Sequence, residues 1–363
     1  MLIYYILIFF LLFVGIALRN NRNKQTYMFV CLIVFVLISG LRGFECGGDL
    51  NNYIPLFKDI VKYPSEDIFT HYDKYGISFK LIVKIGSLFS KNITWILFII
   101  SFINLSIPLY FIYKYSKIPW LSVILYVALT YYTNTFNSVR SSMALAIGML
   151  GIIYLLKNKK KAAFIWFIIA FEIHKTIFPI FLSFYLVKIQ PSFWKITISI
   201  TSCIILAKVL SLSGLAPLLN AYNEMNNYTG RNDADLGGGG YGLLLLDIII
   251  TYGCYYLNKN RTSSINDFMI SIMCMATCIQ AFAPVYSLLT RISYFFTIYS
   301  IILIPNSIDI AFTMKSKRIC VCCTILLSLL YFQKFIMTPS LESHSNSQGT
   351  LPYYYFWENK PKL

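Results

Sequence analysis

Eight uncharged stretches punctuate this chain, at 1–18, 25–41, 92–113, 118–139, 141–156, 268–290, 292–308 and 319–333. Each is about long enough, as helix, to cross a hydrocarbon slab of ~30 Å. Backbone polar groups inside a bilayer must be satisfied within the element, so such runs fold as helices or as a closed barrel. A barrel needs alternation, and these runs are continuous. With 57% hydrophobic and 13% charged residues over 363, an ordinary soluble domain is excluded. The expected fold is all-α, a polytopic integral membrane protein with one membrane domain over 1–363.

Charge sets the expected topology. The first eighteen residues carry no basic charge, and Arg19, Arg22 and Lys24 follow the apolar run. This predicts a retained first helix with its N-terminus outside. From that start the cytoplasmic side collects those three with Lys114, Lys117, Lys157, Lys159, Lys160, Lys161, Lys188, Lys195, Lys259, Arg261, Lys315, Lys317 and Arg318. Against them stand only Asp267 and Asp309, so most of the net +16 lies on one face and nucleic acid is not needed to explain it.

Counting crossings between these loops gives about twelve helices, near 1–18, 27–41, 94–113, 119–135, 138–156, 162–173, 176–188, 194–212, 241–257, 267–283, 288–308 and 319–337. Residues 76–90 read as an amphipathic helix at the outer interface, with Lys80 and Lys84 on one side. The stretch 162–188 is irregular, because the apolar runs flanking Glu172-Ile-His-Lys175 are short. Twelve helical residues reach only ~18 Å, which predicts a broken helical hairpin with a polar tip below the outer surface. The segments 42–75, 213–240 and 338–363 are expected on the non-cytoplasmic side. All nine cysteines but Cys46 lie in or at the ends of apolar helices, so no disulfide is expected, and Cys320 to Cys323 read as membrane-embedded small residues.

Four arginines, Arg42, Arg140, Arg231 and Arg291, fall on the outer side, where positive-inside bias does not explain them. Three of these lie at or inside helix ends. A guanidinium near hydrocarbon needs a partner, and its planar fork suits a phosphate. Snorkelling, or a pair with Glu45, Asp49 or Glu172, is the alternative. Glu172 and His174 on the hairpin tip, and Asp49 on a turn with Gly43, Gly47 and Gly48, are the acid/base candidates. Asp233-Ala-Asp235 matches a short metal-binding pattern, but no cluster has ligand spacing, so no metal and no cofactor are expected.

Several segments, in order, resemble the EpsG/Wzy-type family of O-antigen and exopolysaccharide polymerases. They are Leu41-Arg-Gly-Phe-Glu-Cys-Gly-Gly-Asp-Leu-Asn-Asn-Tyr53, Asn137-Ser-Val-Arg-Ser-Ser-Met-Ala-Leu-Ala146, Phe171-Glu-Ile-His-Lys175, Arg291-Ile-Ser-Tyr-Phe295 and Leu351-Pro-Tyr-Tyr-Tyr-Phe356. The first is one residue longer around Gly47 than the family pattern, and Ser141 stands where glutamine is commoner. The resemblance implies a multi-pass enzyme of the bacterial inner membrane. It would join undecaprenyl-pyrophosphate-linked oligosaccharides at the periplasmic face, with lipid pyrophosphate as leaving group and a chain-length regulator as partner. Arg42, Arg140 and Arg291 would then hold the pyrophosphate, and His174, Glu172 or Asp49 would take the acceptor proton. Tyr53, Asn137 and Arg231 would contact glycan, and Tyr222, Tyr228, Tyr353, Tyr354 and Trp357 offer further stacking surfaces. An O-antigen ligase and a lipid-linked oligosaccharide flippase remain as alternatives. The scarcity of charges within helices, Lys208 and Asp247 being the clear cases, favours an enzyme over an ion-coupled transporter.

Overall fold

The structure is a computed structural model that describes residues 2–18, 23–62, 75–212, 239–260, 263–286, 288–338 and 349–358. Arg231, Asp233, Asp235, Tyr222 and Tyr228 lie outside the described residues. The described regular structure is helical, and the chain divides into two compact units, 1–181 with 314–363, and 182–313.

The first unit opens with α1 (Leu2–Ala17) and α2 (Lys24–Gly40). Next comes α3 (Leu50–Lys62), within the segment read as an outer loop. Its buried residues, Leu50, Tyr53, Leu56, Phe57 and Ile60, recur at helical spacing and form one face. The expected amphipathic helix is α4 (Ile77–Phe89), but Lys80 is buried and the Lys84 ammonium donates to the Ile60 carbonyl at 3.2 Å. The lysine stripe of α4 therefore turns towards protein, with the Lys84 head on a carbonyl of α3.

Then follow α5 (Ile93–Tyr115), α6 (Pro119–Ala128), α7 (Tyr131–Asn137), α8 (Val139–Leu156) and α9 (Lys160–Ile173). The single helix expected over 119–135 is interrupted at Thr130, whose φ of 65° no continuous right-handed helix accommodates. On α8, Gly148 and Gly151 admit the neighbouring side chains closely. A Cβ on Gly148 would stand 2.6 Å from Ile180 and 3.1 Å from Ile177, and one on Gly151 would collide with the Phe167 ring.

The hairpin read from 162–188 takes form here. α9 ends at His174, whose extended backbone (φ −150°, ψ 107°) gives way to a 3-10 helix, Lys175–Leu182. Phe171 meets Phe178 at 6.1 Å between ring centres, and Phe167 meets Phe181 at 5.7 Å. Residues progressively farther from His174 on each side pair with one another, so the chain reverses at that tip.

The second unit holds α10 (Ser183–Leu186), α11 (Phe193–Leu212), α12 (Gly239–Asn258), α13 (Ser264–Gln280), α14 (Leu288–Thr297) and α15 (Ser300–Ala311). Side-chain hydrogen bonds fasten these apolar helices where hydrophobic contrast with lipid is weak. Thr251 and Thr277 hydroxyls lie 3.0 Å apart, Asn266 donates to Asn258 at 2.7 Å, and Asn258 donates to Ser307 at 2.7 Å. The first unit is completed by α16 (Met314–Met337) and the segment 349–358.

Among the described residues five helices are long and apolar enough to cross a membrane: Ile93–Tyr115, Val139–Leu156, Phe193–Ser211, Gly240–Asn258 and Met314–Met337. The pair α14 and α15, bent by 42°, makes a sixth if taken as one span. Helices α1, α2, α6 and α13 are apolar but shorter, at 10 to 17 residues. At 1.5 Å per residue, seventeen reach ~26 Å. Length alone carries five or six crossings, short of the twelve expected from counting loops.

Candidate functional site

The loop after α2 is built around Arg42, which is 1% exposed. Its Nε donates to the Cys46 carbonyl at 3.0 Å, one terminal nitrogen to the Ser39 carbonyl and to the Ser39 hydroxyl at 3.1 Å, and the other to the Phe136 carbonyl at 3.4 Å. The guanidinium also lies 4.7 Å from the centre of the Phe136 ring. Among the described residues no carboxylate pairs with it. Burial lowers its pKa to about 10, partly offset by nearby Cys46 and tyrosines, so it stays cationic at neutral pH. Arg42, expected to face a pyrophosphate, is instead enclosed by the chain's own oxygens, which tie the end of α2 to the end of α7.

The glycines of this loop serve the same closure. A Cβ on Gly47, at φ +120°, would collide with the Phe136 carbonyl, and one on Gly43 with the Tyr354 ring. Segment 349–358 lies along the loop. Gly43 N–H donates to the Tyr354 carbonyl at 2.8 Å, Gly47 N–H to the Gly349 carbonyl at 2.7 Å, and Phe356 N–H to the Leu41 carbonyl at 3.0 Å. Arg42 and Tyr355 form an antiparallel bridge.

Beyond Gly48 the loop delivers Asp49, half-buried, to the start of α3. The Asn137 side-chain oxygen accepts from the Asp49 N–H at 3.1 Å, fixing the carboxylate's backbone to the end of α7. One helical turn on is Tyr53, 8% exposed, whose phenol feels both the Arg140 and the Asp49 charges and accepts from the Arg140 backbone. Burial pushes this phenol up to about 12, with Arg140 opposing the shift, so it is a neutral donor at physiological pH. Arg140, half-buried in the first turn of α8, holds its guanidinium 5.2 Å from the centre of the Tyr75 ring. Tyr75 in turn packs 5.7 Å from Tyr53 and donates to the Asn52 carbonyl at 2.9 Å.

Asp49, Tyr53, Asn137 and Arg140 therefore gather in one place. Tyr75 joins them without a signal in the sequence beyond its being aromatic. Glu172 is engaged just past Tyr75: its two oxygens accept from the N–H groups of Ile77 and, at 2.7 Å, Ser78, capping α4. His174, at the hairpin tip, has its backbone N–H on the Ala170 carbonyl and its own carbonyl accepting from Ile177. Arg291 belongs to the second unit, where it is exposed on α14. Arg231 is outside the described residues. Among the described residues no three or more metal-ligating side chains come together.

No curated protein and no solved structure matches this chain. The EpsG family is matched over residues 24–355, a span that takes in the Arg42 loop, Asp49, Tyr53, Asn137, Arg140, the hairpin tip and the docked segment as far as Tyr355. The chain belongs to the EpsG family.

Proposed function

We propose that this protein is a polysaccharide polymerase that joins undecaprenyl-pyrophosphate-linked repeat units at the periplasmic face of the bacterial inner membrane. The observation that carries the reading is the gathering of Arg140, Asp49, Tyr53 and Asn137 on the helix ends around one loop. It provides a cation for a phosphate, a carboxylate for a proton and neutral donors for sugar hydroxyls. Membership of the EpsG family supports the same class of reaction.

In this reading the acceptor hydroxyl attacks C1 of the donor sugar. The new C1–O bond forms as the bond to the lipid pyrophosphate breaks, Asp49 takes the acceptor proton, and the pyrophosphate departs as an anion. Arg140 stabilises the charge developing on that leaving oxygen. Arg42 acts by shaping the loop that presents Asp49. The topology that serves this reaction has both termini outside and about twelve crossings, so that the short helices α1, α2, α6 and α13 and the two arms of the hairpin around His174 span as well.

Deletion of the gene followed by electrophoresis of surface polysaccharide tests the class. A polymerase leaves lipid A core bearing a single repeat, a ligase leaves none, and a flippase traps repeats inside. Restoring the gene with Arg140→Ala or Asp49→Asn at normal protein level is expected to leave the single-repeat band. A full ladder from both variants overturns the site assignment.

A further inference from the structure

The segment docked on the Arg42 loop ends in an aromatic shelf. The rings of Tyr355 and Trp357 are parallel to within 2°, with centres 4.7 Å apart. Tyr353 meets the edge of Tyr355 at 5.3 Å and 88°, and Phe356 stands at 81° to the indole. Of these, Trp357 is 59% exposed. Tyr354, by contrast, is buried and belongs to the loop's packing.

The shelf is held in place by backbone rather than by burial. Tyr355 is bridged to Arg42, Phe356 N–H donates to the Leu41 carbonyl, and a short turn closes with Glu358 N–H on the Tyr355 carbonyl at 3.0 Å. The Glu358 carboxylate accepts from the Tyr355 N–H at 2.7 Å, which fixes an acidic group beside the stacked rings. Arg42 also binds the Phe136 carbonyl, next to Asn137, which holds Asp49. The shelf is thus tied through one hydrogen-bonded chain to the candidate site.

We infer that Tyr355, Trp357 and Glu358 form a saccharide-binding subsite that holds the glycan away from the bond being made; this rests on the proposed polymerase reading. A pyranose ring has an apolar C–H face and polar edges. A flat, preformed aromatic surface matches the face, and a fixed carboxylate accepts from the edge hydroxyls. An aromatic residue that merely anchors a protein at the bilayer interface has no need of a fixed pose. It gains most with both ring faces among lipid, whereas here each ring gives one face to the other.

The test uses the full chain in detergent micelles and in nanodiscs, with delipidated repeat-unit oligosaccharide from the host's own surface polysaccharide as probe. Saturable shielding of tryptophan fluorescence from acrylamide is expected in the parent. Sugar affinity, measured by calorimetric titration, should be weakened at least tenfold in Trp357→Ala and retained in Trp357→Phe. In cells Trp357→Ala should shift the polysaccharide ladder to shorter lengths. Equal sugar affinity in parent and Trp357→Ala overturns the subsite, as does shielding of Trp357 by anionic nanodiscs without sugar, which marks a lipid anchor. Arg140→Ala separates the two ideas: sugar binding kept while the ladder collapses supports both. Sugar binding kept with a full ladder leaves the subsite standing and removes Arg140 from the reaction.

Discussion

The Arg140 guanidinium lies 5.2 Å from the centre of the Tyr75 ring, and that ring is held by its own hydroxyl on the Asn52 carbonyl at 2.9 Å. A cation over an aromatic face gains about 0.5–2 kcal/mol, more when water is excluded. Tyr75→Leu is therefore expected to cost polymer yield roughly 2- to 30-fold by loosening Arg140. Tyr75→Phe keeps the ring and should retain most activity. In vitro polymerisation with purified variants checks this, and equal losses in the two would assign the effect to the hydroxyl.

Arg42 predicts a different kind of defect. Its removal leaves the Ser39, Cys46 and Phe136 carbonyls without their donor in a buried place. Each orphaned buried group costs about 1–3 kcal/mol. Arg42→Ala should thus lower the melting temperature and the amount of folded protein in detergent, while Arg140→Ala melts like the parent and loses only activity.

Glu172 is expected to be dispensable for chemistry. Its carboxylate caps the first turn of α4, an interaction of about 1 kcal/mol. Glu172→Gln retains one oxygen acceptor and should give a full polysaccharide ladder with a slightly lower melting temperature. Loss of the ladder at normal protein level would return Glu172 to the list of candidate bases.

Tyr53 provides a pH signature. Its phenol is raised to about 12 in the folded chain, above the ordinary value of about 10 in the unfolded one. The folded state therefore holds the proton more tightly. The associated stability is full below pH ~10 and is lost as pH rises towards ~12. The parent should lose more stability across that window than Tyr53→Phe, by about 2–3 kcal/mol. Chemical denaturation of both proteins at the two ends of the window measures the difference.

Gly151 tests the packing that supports the hairpin. A side chain there would strike the Phe167 ring, forcing α8 and α9 apart. Gly151→Val is expected to destabilise the protein by about 1–3 kcal/mol, read by thermal unfolding.

The uncharged runs located three of the five long helices closely, since a run of apolar residues and the helix it forms are both local properties, whereas Phe193–Ser211 and Gly240–Asn258, which carry Lys195, Lys208 and Asp247, came from counting crossings between loops. The reversal at His174 was legible for the same reason, as two short runs around a polar tip. Helix α3 carried a signal too, Leu50, Tyr53, Leu56, Phe57 and Ile60 at helical spacing, but Pro55, Lys58 and Asp59 interrupt the apolar pattern. What sequence could not display was the neighbourhood of each charge. Arg42 and Arg140 look alike as outer-side arginines, yet one is spent on internal carbonyls and the other lies over Tyr75. Those partners come from distant parts of the chain, and no periodicity records them.

Gly43 and Tyr354 are joined by a hydrogen bond across most of the length of the chain. Synthesis proceeds from the N-terminus, so the loop that presents Asp49 emerges early and waits for its last partner until translation has passed Phe356. Helices inserted one by one before then lack that closure. A chain made only as far as α16 would hold its helices but lack the backbone bonds that Leu41, Gly43 and Gly47 make to segment 349–358, so this loop closes after nearly every described helix has been made.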